Sequence, residues 1–103
     1  PIDAPCKPGM TSNQKGRAGE LAMEAVVKSL GYIFEPKKAQ NIPGLPKVIP
    51  DGFAVDPSTG ARYALDSKCG PCAGMTKNQK KTYPSLAKGG KPGIADVILF
   101  WWN

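Results

Sequence analysis

Asp66-Ser67-Lys68 closes an alternating apolar stretch, and Pro50-Asp51 opens the stretch before it. Two carboxylates and a lysine are the residue types that hold a hard divalent cation through oxygen and set a water against a phosphate. In an extended chain successive side chains alternate faces. Asp66 and Lys68 therefore point the same way, and Ser67 points into the other layer. One carboxylate and one ammonium then flank a single spot. A D-x-K triplet is common, however. An exposed Asp66–Lys68 ion pair beside a solvated Asp51 accounts for the same residues. The order of the surrounding elements decides which reading has a scaffold.

Residues 1–11 read as an irregular lead-in, with Pro1, Pro5, Pro8 and Gly9 as breakers. Thr11 and Gln14 match a capping box. Ala18, Leu21, Ala22, Ala25 and Val26 then recur at helical spacing up to a stop at Gly31. Glu24 falls in the polar sector of this helix with Lys28, a Glu-to-Lys i,i+4 pair. Glu20 falls at the border of the apolar arc, where a side chain reaches over the core edge into a cleft. Tyr32-Ile33-Phe34 reads as a short strand, and Pro36 to Pro50 as a long proline-rich loop. Residues 51–55 and 61–68 flank the turn Asp56-Pro57-Ser58-Thr59-Gly60 and read as a β-hairpin. Antiparallel pairing brings the start of one strand beside the end of the other, so Asp51 is expected next to Asp66. Thr76 and Gln79 form a second capping box, opening a helix over 77–83 that Pro84 interrupts or kinks before Gly89-Gly90 ends the region. Ile94 to Trp102 is apolar apart from Asp96 and reads as a strand buried on both faces. The element order is α-β-β-β-α-β, in one α/β (α+β) domain over 12–103.

The chain has 14 Lys+Arg against 8 Asp+Glu, a formal charge of +6. For a small domain this favours a polyanionic partner, whether nucleic acid, an anionic membrane surface or an acidic protein, over a merely soluble basic protein. Lys77, Lys80 and Lys81 share a helix face and are candidate nucleic-acid-binding residues; a solvated face explains them too. Trp101 and Trp102 are candidates for base stacking, although an apolar strand usually takes at least one into its core. No apolar run is long enough to span a bilayer, and no signal peptide is visible. The chain begins at Pro1 rather than Met, which reads as a fragment of a longer protein. The absence of histidine excludes His-based catalysis and His metal sites. Cys6, Cys69 and Cys72 are too few for a disulfide framework or a four-ligand zinc site. They read as loop cysteines, a local disulfide or a redox-sensitive neighbour of the site. Cys69-Gly70-Pro71-Cys72 lacks the long following helix of a thioredoxin motif.

Over roughly residues 12–102 the sequence resembles the PD-(D/E)XK nuclease superfamily. The resemblance rests on Glu20, Pro50-Asp51 and Asp66-Ser67-Lys68, with Met75-Thr76-Lys77-Asn78-Gln79 and Tyr83-Pro84 similar to bacterial polymorphic-toxin members. It implies a restriction-endonuclease-like αβββαβ core, a central mixed sheet flanked by helices. Asp51, Asp66 and the Ser67 carbonyl would then be ligands of Mg2+, or of another divalent cation such as Mn2+ or Zn2+. Glu20 would be a supporting acid, and Lys68 would position the attacking water. Gln79 would join the site, or serve only its capping box. The implied activity is phosphodiester hydrolysis by metal-activated water, on DNA ahead of tRNA or other RNA. The implied setting is a secreted effector of contact-dependent inhibition or Rhs type, acting in the recipient cytoplasm and restrained by an acidic immunity protein. The alternative is a non-catalytic basic nucleic-acid-binding module. The Cys69–Cys72 loop is foreign to the superfamily pattern.

Overall fold

The computed structural model describes residues 5–70 and 73–102. Thr11 caps the first helix, α1 (Ser12–Ser29), through both halves of the expected capping box. Gly31, at φ +84°, turns the chain out of it in the left-handed region that glycine reaches without strain. Three strands follow: β1 (Ile33–Pro36), β2 (Gly52–Val55) and β3 (Arg62–Cys69). Helix α2 (Lys77–Ala87) then crosses over to β4 (Asp96–Trp102). The sheet order is β1-β2-β3-β4. The first three strands are antiparallel neighbours, and β4 runs parallel to β3. This is a small α+β domain with a four-stranded mixed sheet.

Alternation along β3 divides the core into two layers. Leu65 joins Met23, Val27 and Ala54 under α1, bordered by Tyr32, Phe34, Tyr63, Phe100 and Trp102. Ala64 joins Phe53 and Ile94 on the opposite face, next to the α2 layer of Val48, Tyr83 and Leu86. Helix α1 lies close on β3 because residue 19 is glycine. A Cβ there would come within 2.6 Å of the Ser67 hydroxyl and 3.3 Å of Cys69.

Four expectations change. The helix expected over 77–83, with Pro84 interrupting or kinking it, continues through Pro84 to Ala87. Proline lacks the N–H that would reach the Lys80 carbonyl, but Pro84 and Lys80 are both exposed, so solvent can reach that side of the helix. The last strand is not buried on both faces. It is an edge strand paired only with β3, and it leaves Ile98 and Trp101 exposed. The long loop has structure of its own: Gln40 and Val48 exchange backbone hydrogen bonds of 2.8 and 3.2 Å. Thr82 Oγ1 donates to the Pro46 carbonyl at 2.7 Å, tying the loop to α2. The lead-in is not free either, because Cys6 is disulfide-bonded to Cys69. That bond excludes the local Cys69–Cys72 disulfide; Cys72 itself, with Pro71, lies outside the described residues.

Candidate active site

The β2–β3 pairing runs from Val55 opposite Arg62 to Gly52 opposite Leu65. One further step along that register brings Asp51 opposite Asp66. Asp51 is locked there twice. Its N–H donates to the Leu65 carbonyl at 2.8 Å, and its Oδ2 accepts from the Ser67 N–H at 2.8 Å. The N–H and C=O of one strand residue share a side, so the Ser67 carbonyl also points to the Asp51 edge, beyond the end of β2. The expected ligand set, Asp51, Asp66 and the Ser67 carbonyl, therefore borders one place.

Asp66 is fully buried. Its Oδ1 accepts from the Tyr83 hydroxyl at 3.2 Å and from Gln79 Nε2 at 3.5 Å. Its Oδ2 forms an ion pair with Lys68 Nζ at 2.7 Å and has no well-aligned hydrogen-bond donor. The Asp66 and Lys68 side chains are only 2% and 10% exposed. The surface ion pair considered from the sequence is therefore a buried one. Breaking such a pair from one side typically costs about 3–5 kcal/mol.

Gln79 closes its capping box and also contacts Lys68 and Asp66. Its Oε1 accepts from the Thr76 N–H at 2.9 Å to close the cap, and from Lys68 Nζ at 2.7 Å. The capping box therefore orients the amide that positions the lysine. Tyr83 was missed. Its signal was its place one helical turn after Gln79, on the same face. Burial, and then the Asp66 charge, push the Tyr83 hydroxyl well above its ordinary value, so it stays a donor. Asp51 is pushed up from 3.8 to about 6, first by burial, against the Ser67 N–H that lowers it, with the Asp66 charge raising it further. Two carboxylates at one spot, one of them lacking a hydrogen-bond partner on a buried oxygen, suit a hard cation with oxygen ligands.

Glu20 stands to one side. It lines a small cleft of about 130 Å³ that also contains Asp51, Arg17, Glu24 and Lys37, and its Oε1 lies 3.3 Å from Lys37 Nζ. Among the described residues no three His, Cys, Asp or Glu side chains gather as one metal cluster, so Glu20 shares the cleft but does not complete a three-acid set. Glu24 pairs with Lys28 at 2.7 Å, as expected. Lys77, Lys80 and Lys81 are exposed, on the side of α2 turned away from Thr82, Tyr83 and Leu86. They do not converge on Lys68. Lys15, which the sequence did not single out, does: it lines a groove of about 670 Å³ with Lys68, Gly70 and Thr76.

Comparison with protein-family models, curated proteins and solved structures finds no match to this chain. Among the described residues no helix is long and apolar enough to cross a membrane.

Proposed function

We propose that this protein is a metal-dependent nuclease with a restriction-endonuclease-like fold. The observation that carries the reading is the meeting of Asp51, Asp66 and Lys68 at the β2–β3 end, with Gln79 and Tyr83 of α2 fixing the last two. In this reading Asp51, Asp66 and the Ser67 carbonyl hold Mg2+ or Mn2+. When bound, such a cation supplies Lewis-acid charge to the phosphoryl oxygens and acidity to the attacking water.

The protein's own groups do the rest. The ammonium of Lys68 has three donors. Gln79 takes one and Asp66 faces another, which leaves a third for a water or a phosphoryl oxygen. Tyr83 keeps its proton and holds the Asp66 carboxylate as an acceptor. Lys37 offsets the charge of Glu20 and lowers Asp51. Lys15 and Lys68 line the wide groove on the other side of the site, and the +6 surface draws a polyanion toward it. DNA stands ahead of tRNA or other RNA as substrate. The biological setting we propose is a toxin domain of a secreted bacterial effector, acting in the recipient cytoplasm. It would be held inactive in its producer by an acidic immunity protein that the basic surface attracts. Burial of the Asp66–Lys68 pair removes the surface-pair explanation of these residues, and the non-catalytic nucleic-acid-binding module stays as the alternative that a cleavage assay separates. Incubation of the purified protein with plasmid DNA and total RNA, with and without Mg2+, tests the reading. Mg2+-dependent cleavage of either substrate is the expected result.

A further inference from the structure

Trp101 is 52% exposed. A single exposed aromatic needs no explanation, but the register of this one does. In the parallel β3–β4 pair, Trp101 is the direct partner of Lys68, and Leu99 is the partner of Asp66. Paired residues share a face, so the indole stands beside the Lys68 stem, one strand spacing of roughly 4.8 Å away. The α2 layer takes in Val97 and Leu99 from this face but not Trp101. Trp102 points the other way. It stacks on Phe100 with ring centroids 5.8 Å apart, and its Nε1 donates to Ser67 Oγ at 2.9 Å. The two adjacent tryptophans thus divide cleanly, one into the α1 core and one onto the open end of the sheet. Across that end the order is Asp51, then Asp66 and Lys68, then Trp101.

We propose that Trp101 is a nucleobase-stacking platform, and that the site takes a strand with an unpaired base next to the phosphate held at Lys68. The placement of the phosphate rests on the nuclease reading. The substrate class follows from geometry. A base inside a duplex is stacked on both faces, whereas single-stranded DNA, or an RNA loop or end, offers a free face to an indole.

The test is binding of a short fluorescein-labelled single-stranded oligonucleotide, followed by anisotropy at low salt in EDTA. Wild-type, Trp101→Ala and Trp101→Phe proteins are compared after circular dichroism shows each folded. Loss of one stacking contact corresponds to roughly five- to 150-fold weaker binding, and Trp101→Phe should restore most of it. The salt dependence should not change, since no charge is removed. An oligonucleotide of abasic sites should bind wild type and Trp101→Ala alike, as should a duplex of the same sequence. Single-strand affinity of Trp101→Ala within twofold of wild type overturns the platform and leaves Trp101 to cover by another protein chain. Cleavage in Mg2+ is scored separately. Wild type that cleaves while Trp101→Ala binds normally refutes stacking alone. Base-dependent binding without any cleavage supports stacking and refutes the nuclease reading. No binding and no cleavage refute both.

Discussion

Replacing Asp51 by Asn should stabilise the protein at neutral pH and not in acid. The Asp51 carboxyl lies at about 6 in the fold against 3.8 for the exposed group. Between those values the folded chain binds more protons than the unfolded one, so stability falls as pH rises through 6. The contribution is fully present below pH 3.8 and lost above about 6. If Asp51 were wholly buried, the difference would be worth about 3 kcal/mol. The residue is only partly buried, and solvent screening reduces this to about 1–2 kcal/mol. Asn retains an oxygen for the Ser67 N–H and removes the repulsion from Asp66. For a domain of this size Asp51→Asn should therefore raise Tm by about 4–8 °C at pH 7.5, with little change near pH 4. Thermal melts of both proteins in EDTA across this range give the comparison directly. Millimolar Mg2+ should raise the wild-type Tm at pH 7.5 and shift Asp51→Asn much less, because the cation replaces the same missing counter-charge. An Asp51→Asn protein no more stable than wild type at pH 7.5, or one that loses as much stability between pH 5 and pH 7.5 as wild type does, would refute the raised Asp51 carboxyl, which burial and then the Asp66 charge produce.

Three further outcomes follow from the same geometry. Glu20→Ala should lower cleavage much more than Glu24→Ala, because Glu20 meets Lys37 beside Asp51 and Glu24 is already paired with Lys28; equal activities would separate α1 from the site. Lys15→Ala should flatten the salt dependence of substrate binding by about one phosphate contact, whereas the double replacement of Lys80 and Lys81, which do not line the groove, should change it less; titrations of affinity against salt decide this. Reduction of the Cys6–Cys69 disulfide, which spans 63 residues of sequence, should cost up to roughly 4 kcal/mol by chain entropy, seen as a lower midpoint in urea, while the Asp51–Asp66–Lys68 set, held by other contacts, persists.

Local signals were legible where they coincided. The Thr11–Gln14 and Thr76–Gln79 boxes, the turn at Asp56–Gly60 and the alternation of β3 each named an element that is present. Together they brought Asp51 to Asp66. What needed three dimensions was the cost and partnering of burial. D-x-K spacing places Asp66 and Lys68 on one face but does not say whether α2 covers them, and burial changes a weak surface pair into a strong constraint. Tyr83 required the helix to be docked before its hydroxyl had an address. Pro84 breaks a helix only if the freed carbonyl is buried, and here it is not. The apolar run of β4 suggested two covered faces because composition cannot tell a central strand from an edge whose tryptophan points outward. Cys6 and Cys69 are far apart in sequence, so their pairing left no local trace.

In the proposed reading Asp66 and Lys68 cut a phosphodiester with a divalent cation. Both are buried, so their replacements must be conservative: Asp66→Asn keeps an acceptor for Tyr83, and Lys68→Gln keeps a polar partner for Gln79. The decisive measurement is the initial rate of cleavage of supercoiled plasmid DNA and of total RNA by these two variants and by wild type, in Mg2+ and in EDTA, at a temperature where melts show all three folded. Wild type should cleave in Mg2+ only, and each variant should lose about a hundredfold or more, as removal of a transition-state contact gives. Cleavage by either folded variant at the wild-type rate, or no cleavage of either substrate by wild type, would contradict this reading.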